Sequence, residues 1–283
     1  TQAKDKAAEY PVRRSFIPAP GFFFGFLDFD QMEYKLMLER AKQMDLIELV
    51  KNGLDVHQAT ADLMGVDRTT SKTLNFMLLY GGGIAKLCQA LFAPTLPLET
   101  LKALGRLYIY KMTNYQGIEL HRELVAKLSE SVKLYNLDEL KKAHALLEKY
   151  YSNLPDVRVY SKDIQRVASE RGQIINWFGR RCYYTRGQST HMAANHDIQG
   201  GCADIVKLGM VALQPLFRGK KSRAIVQIHD ELMFEIADGE ENLLLEAKAI
   251  MEKVYPHKFL PMTCGADYSR KSWAAVDKEE WHG

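Results

Sequence analysis

Two segments with strand character stand near opposite ends of this chain, and nearly everything between them has helical periodicity. The first is Phe22-Phe23-Phe24-Gly25-Phe26-Leu27, an apolar run closed by Asp28. The second spans 224–236: an apolar run, then His229-Asp230-Glu231, then Leu232-Met233-Phe234-Glu235-Ile236. It reads as a β-hairpin with three polar residues at its tip. A lone strand leaves its backbone groups unpaired, so segments this far apart must be brought together in one sheet. The expected fold class is α+β, an antiparallel sheet interrupted by a mostly helical subdomain.

The stretch between supports that reading. Residues 1–20 are irregular and punctuated by Pro11, Pro18 and Pro20. A helical pattern runs from Gln31 to about Gly83, with breaks near Gly53 and Gly65, and continues over 84–170. Its most amphipathic part is Leu137 to Tyr151. Residues 173–184 have the look of a hairpin turning at Gly179, followed by helices from about Met192 to Leu216 and from about Glu240 to Val254. No apolar stretch is long enough to span a bilayer, and no signal or transit peptide opens the chain, so no membrane partner is expected. The four cysteines show no C-x-x-C spacing, which excludes a zinc site or disulfide framework as a sequence signal and fits reduced thiols in an intracellular protein. A net charge of +3 is mild, but the cations cluster at Arg13-Arg14, at Arg180-Arg181 with Arg186, and at Arg218, Lys220, Lys221 and Arg223. Each cluster could meet phosphate or lie in a solvated loop. A threonine in first place reads as a fragment or processed product.

Asp28 and Asp230 are the candidate chemical centre. Two carboxylates presented on rigid strands suit a site where cations about 3.5–4 Å apart clamp the attacking and leaving oxygens of a phosphoryl transfer. Either acid alone could equally be an ordinary strand-end or turn residue.

The segment 67–81 is the second candidate. Asp67 is a natural N-cap, and the Gly81-Gly82-Gly83 run is a natural stop. Arg68, Lys72, Phe76 and Tyr80 recur every four residues and form one stripe about 18 Å long. Its cations lie toward the helix N-terminus, where the dipole favours an anion. A nucleoside triphosphate could lie along it, phosphates on Arg68 and Lys72 and base end near Phe76 and Tyr80. An amphipathic surface helix, with its aromatics in the core and its cations snorkelling, gives the same pattern. Gly81-Gly82-Gly83 is not a phosphate loop, because no Gly-Lys-Ser/Thr follows it.

Taken together and in order, these elements resemble the family A DNA polymerases, the bacterial polymerase I type. Asp28-Phe29-Asp30-Gln31-Met32-Glu33 is similar to motif A, Arg68-x3-Lys72-x3-Phe76-x3-Tyr80-Gly81 to motif B, and Gln227-Ile228-His229-Asp230-Glu231 to motif C. Arg14-Ser15-Phe16-Ile17-Pro18, Asp55-Val56-His57 and Asn195-x3-Gln199-Gly200 are lesser matches, and the likeness covers nearly the whole chain. The resemblance implies a right-hand polymerase with palm at 1–36 and 189–283, fingers at 37–188, and a thumb absent because it would precede motif A. It implies template-directed DNA synthesis from deoxynucleotides on primer-template DNA, with two Mg²⁺ ions as cofactors. Asp28, Asp230 and the Phe29 carbonyl would hold the metals, with Glu231 assisting. Gln31, His57, Arg68 and Lys72 would bind the triphosphate. Glu33 would exclude a ribose 2′-hydroxyl, Phe76 would pack on the sugar, and Tyr80 would guard the template side. Asn195, Gln199, His229 and Arg180 would contact DNA. The thumb would come from the same full-length polypeptide or from a partner chain.

Four positions depart from the family pattern: Asp30 in place of a serine, Lys35 of an arginine, His191 of an arginine and Asp197 of a proline. Three other readings compete, one of them a non-catalytic DNA-binding remnant, which loss of either key acid would have suggested, yet Asp28 and Asp230 are both present. A single-subunit RNA polymerase shares the motif order but commonly has glycine in place of Glu33. An HD-type phosphohydrolase would draw on His57 and His229-Asp230, but carries its ligands on helices.

Overall fold

The computed structural model describes residues 12–79, 82–113, 138–185, 190–256, 259–274 and 278–281. Among these the chain forms two compact units, the first from 1–36, 176–180 and 198–283, the second from 37–175 and 181–197.

The first unit is built on an antiparallel sheet in the order β4-β5-β1-β6-β7. Its strands are β1 (Phe22–Phe29), β4 (Arg223–Ile228), β5 (Glu231–Ala237), β6 (Cys264–Ser269) and β7 (Glu279–Glu280). β1 is central because its apolar run is buried on both faces, from Phe23 through Leu27. Phe24 and Phe26 pack with Met233 and Trp273 on one side. On the other, Gly25 leaves the backbone so close to Leu244 that an added Cβ would lie 2.8 Å from its Cδ1. The register places Asp28 opposite Glu231 on β5 and Gly265 on β6. Two helices carry the chain into and out of this sheet: α1 (Met32–Ala41), directly after β1, and α9 (Ala193–Phe217), before the β4–β5 hairpin; α10 (Asn242–Lys253) follows it. Trp177 from the 176–180 turn lies on α9 at Gly201, where a Cβ would meet the indole at 1.9 Å, so only glycine fits.

The second unit is helical. It contains α2 (Met44–Lys51), α3 (Val56–Met64), α4 (Arg68–Leu79), α5 (Ile84–Leu91), α6 (Leu98–Thr113), α7 (Asp138–Asn153) and α8 (Pro155–Arg171). A short hairpin of β2 (Gln173–Ile175) and β3 (Arg181–Tyr183) follows, with Gly179 at φ +83° in its turn. Asp55 and Asp67 cap α3 and α4 through side-chain bonds to the amides of His57 and Gln58 and of Thr70. Asp197, wholly buried at the start of α9, accepts from Tyr160 (2.6 Å) and Arg40 (3.1 Å). The aspartate that stands in place of a proline thereby ties the first turns of α9 to α8 and the end of α1.

One feature differs from the sequence reading. β6 and β7 were not expected, because Gly265, Asp267 and the acidic pair Glu279-Glu280 have no strand signature of their own; pairing to β1 makes β6 a strand. The chain contributes 176–180 to the first unit and returns to it at Ile198, within α9.

Candidate active site

Phe26 and Asp28 alternate onto one face of β1, and the register adds Glu231 from β5 and Asp267 from β6 to that face. Asp230 occupies the β4–β5 turn, where its carbonyl accepts from the Phe29 amide at 3.4 Å. The carboxyls of Asp28 and Asp230 lie within hydrogen-bonding reach of each other. Asp28 is accessible to solvent and has Asp230, Glu231 and Asp30 as acidic neighbours. Loss of hydration, then the charges of Asp230 and Glu231, push its carboxyl from 3.8 up to about 7, against a smaller opposing effect of Lys278. Burial likewise raises Asp230. The backbone is tight at this place: Gln31 (φ +53°) at the β1–α1 corner and His229 (φ +52°) at the hairpin tip adopt the left-handed region, which costs a non-glycine residue about 1 kcal/mol or more.

Three neighbours complete the face. Glu33 is held by Gln199, whose amide donates to Oε1 at 3.2 Å. Asp30 accepts from Thr263 Oγ1 at 2.8 Å. Lys278 donates to Glu231 Oε2 at 2.5 Å. Lys278 and Asp267 were not singled out from sequence. Neither lies in a motif, and only the β1–β6 and β6–β7 pairings bring them here. Among the described residues, no group of three or more His, Cys, Asp or Glu side chains is set to hold a metal ion. The convergent pair is therefore Asp28 with Asp230, while Glu231 is engaged by Lys278.

The α4 stripe belongs to the second unit. Ser71, Leu74 and Asn75 form the buried face of this helix. Phe76 is only half-buried and lines a cavity of about 590 Å³ with Lys72, Thr73, Lys86 and Gln89. The core positions of α4 thus lie one step round the helix from Phe76. Lys72 is exposed, its ammonium 5.9 Å from the Phe76 centroid. Arg68 makes a two-pronged pair with Asp55 at 3.0 and 3.1 Å. His57 is buried, its ring 5.4 Å from Phe76, and its Nδ1 accepts from Asn75 at 3.0 Å. Burial lowers its pKa, which favours the neutral ring. Tyr80 and Gly81 lie outside the described residues.

The expected DNA contacts are dispersed. His229 is exposed at the hairpin tip, and its carbonyl accepts from Gln227. Asn195 is buried in the first turn of α9, with its Oδ1 unpartnered among the described residues. Arg180 is already paired with Asp204 on α9, which also accepts from Asn176 at 2.9 Å. The basic clusters are thus partly internal: Arg13 lies over Trp273 at 4.6 Å and Arg223 pairs with Glu235 at 2.7 Å.

The family model described as DNA polymerase family A matches residues 3–118 and 110–275. The chain belongs to this family. It is 28% identical over 264 residues to the thermostable DNA polymerase I of Thermus caldophilus and 27% identical over 247 residues to DNA polymerase I of Pseudomonas aeruginosa. These matches cover 87% and 80% of this chain but only 26% and 22% of the relatives, so the chain spans about a quarter of their length. A solved structure of the POL domain of Pol1 from M. smegmatis, in complex with DNA primer-template and dNTP, superposes with a TM-score of 0.70 at 23% identity. That match covers 96% of this chain and 44% of the solved one, and it shows a shared fold. An HD-type phosphohydrolase is set aside by this membership. No helix among the described residues is long and apolar enough to cross a membrane.

Proposed function

We propose that the first unit is the palm and the second the fingers of a DNA-directed DNA polymerase, which adds deoxynucleotides to a primer 3′-OH and releases pyrophosphate. One observation carries this reading. In a member of family A, Asp28 and Asp230 meet on one face of the sheet from opposite ends of the sequence. The partners are carried over from the M. smegmatis polymerase domain, whose structure holds primer-template and dNTP.

Asp28, Asp230 and the Phe29 carbonyl would hold two Mg²⁺ ions. The donor set fits: Mg²⁺ is commonly held by one or two carboxylates, with substrate phosphate and water completing its shell. The mutual repulsion that lifts Asp28 is also what a divalent cation would relieve. When bound, such ions supply electrostatic stabilisation of an in-line phosphoryl transfer.

The chain's own side chains would do the positioning. Arg68 and Lys72 would bind the triphosphate, with the Gln31 backbone assisting. Arg68 would exchange an exposed carboxylate, Asp55, for a more highly charged phosphate, which strengthens the bonds it makes. His57, from beneath, would steady Phe76 against the nucleotide sugar, and Tyr80 would guard the template side. Glu33, pinned by Gln199, would leave no room for a 2′-hydroxyl, which favours DNA over RNA synthesis. His229 would touch the primer terminus. Asn195 and Gln199 would read the minor groove, and Arg180, if released from Asp204, the DNA backbone. Glu231 would assist from beside the metal ligands.

Primer extension by the full-length protein tests the reading, with one templated dNTP supplied and Mg²⁺ either present or omitted. Template-matched, Mg²⁺-dependent extension is expected. Phosphate release without primer elongation would instead favour a hydrolase.

A further inference from the structure

Lys278 comes from a part of the chain with no motif, yet it lies among the carboxylates of the candidate site. Its ammonium is 2.5 Å from Glu231 Oε2 and 3.7 Å from the centroid of Phe26, the residue that precedes Asp28 on the same face of β1. The side chain is only 12% exposed and that of Glu231 only 17%. The placement is built, since the chain just beyond Lys278 is fixed at three points. β7 pairs with β6, the Trp281 amide donates to the Ala266 carbonyl at 2.8 Å, and the Trp281 ring stacks on Phe23 at 5.4 Å. A lysine held over an aromatic ring, against a half-buried carboxylate, is not a freely solvated surface charge.

We infer that Lys278 is a built-in counter-cation that keeps Glu231 out of the metal-ligand set and thereby sets the affinity of the Asp28–Asp230 pair for divalent cations. This rests on the reading of Asp28 and Asp230 as metal ligands. Glu231 is opposite Asp28 in the sheet register, so its charge stands beside the Asp28–Asp230 pair. With Lys278 bound to it, Glu231 contributes little net charge, and the site presents two carboxylates instead of three. Removing the ammonium leaves the Glu231 charge uncompensated beside the cations and frees its Oε2. A divalent ion experiences that change doubly, because Coulomb energy scales with the product of charges. Lys278 is thus a positioning and specificity residue; it touches neither substrate nor reacting atoms.

The test is Mn²⁺ binding to the full-length protein without nucleotide, read from the electron paramagnetic resonance of free Mn²⁺. Lys278→Met should bind Mn²⁺ about tenfold more tightly than wild type. Lys278→Arg, which keeps the charge, should stay near wild type. Adding Glu231→Gln to Lys278→Met should return the affinity toward wild type, because the gain depends on the freed carboxylate. Unchanged or weaker binding by Lys278→Met, with wild-type melting, overturns the inference, as does a double variant that keeps the full gain. If Lys278→Met fails to fold, Lys278→Gln carries the same comparison. Asp28→Asn is the control for the underlying reading. Should it leave Mn²⁺ binding unaltered, the metal assignment itself fails, whatever Lys278 does.

Discussion

The carboxylates on the sheet of the first unit and the cations on α4 of the second are both arranged for a charged substrate, but they are assembled differently. Arg68, Lys72 and Phe76 are neighbours because a helix repeats; capping by Asp67 and burial of Ser71, Leu74 and Asn75 suffice to present them. Asp28, Asp230 and Glu231 are neighbours only because β1 pairs with β5. Their charge balance differs as well. Arg68 already has a carboxylate partner in Asp55, whereas Asp28 and Asp230 repel each other, and Asp28 rises to about 7 as a result of burial and that repulsion. Locally built binding groups can thus rest in a neutralised state, while the sheet site holds an imbalance that a cation would relieve.

The largest effect is expected on the sheet. Asp28→Ala or Asp230→Ala should lower single-nucleotide addition by at least about a thousandfold, with circular dichroism unchanged, since on the proposed reading each removes a metal ligand and the stabilisation it would provide to developing charge. Substantial residual activity in either variant would place the chemistry elsewhere.

Glu33 stands at the start of α1, next in sequence to the acidic face, and its effect concerns selection more than rate. If Glu33 packs against C2′ as proposed, trimming it should admit the hydroxyl, so Glu33→Ala should raise the ribonucleotide-to-deoxynucleotide incorporation ratio by about a hundredfold, within the range that steric and polar discrimination spans. Gln199→Ala should produce a smaller change in the same direction, because Gln199 acts on this selection through its hydrogen bond to Glu33. An unchanged ratio in Glu33→Ala assigns the gate to another residue.

On the helix the expected effect is smaller again. Phe76 has no hydroxyl to replace the one missing from a dideoxynucleotide sugar. Phe76→Tyr should supply it and increase dideoxy termination by about tenfold, the equivalent of one hydrogen bond to a polarised partner. Normal extension should change little. No change in termination would mean that Phe76 serves its cavity alone and the helix stripe is structural.

The smallest effect is thermodynamic and isolates the charge imbalance. The folded-state pKa of Asp28 lies above its ordinary value of 3.8, so the folded protein binds this proton more tightly than the unfolded chain. The stabilisation is complete below about 3.8 and is lost as pH rises through about 7. With metal chelated, Asp28→Asn should melt a few degrees above wild type at pH 8, and the gap should close as pH falls toward 4. Asp28 and Asp230 titrate as a pair, so the change should be broad. A gap independent of pH would refute the assignment.

The helical middle of the chain was legible because apolar periodicity and capping are local properties. Asp67, Gly65 and Gly179 announce their cap and turns wherever they occur. The β1 and β4–β5 strands were legible for the same reason, and so were Asp28, Asp230 and the α4 stripe. β6 was hidden because small and polar residues, Gly265, Asp267 and Ser269, take strand form only when β1 supplies the partner. Lys278 was hidden because its neighbour Glu231 is distant in sequence, and nothing local marks a lysine that will lie over Phe26. Arg180 read as an available cation, but Asp204 reaches it from a different element. The sequence by itself therefore determined the helices, β1, the β4–β5 hairpin, Asp28 and Asp230 as the candidate acids, and the family motifs, all of which depend on chemistry within a few residues. The tertiary structure alone decided which charges are paired and which are left opposed, because a charge's partner is whichever group the fold brings within a few ångströms of it.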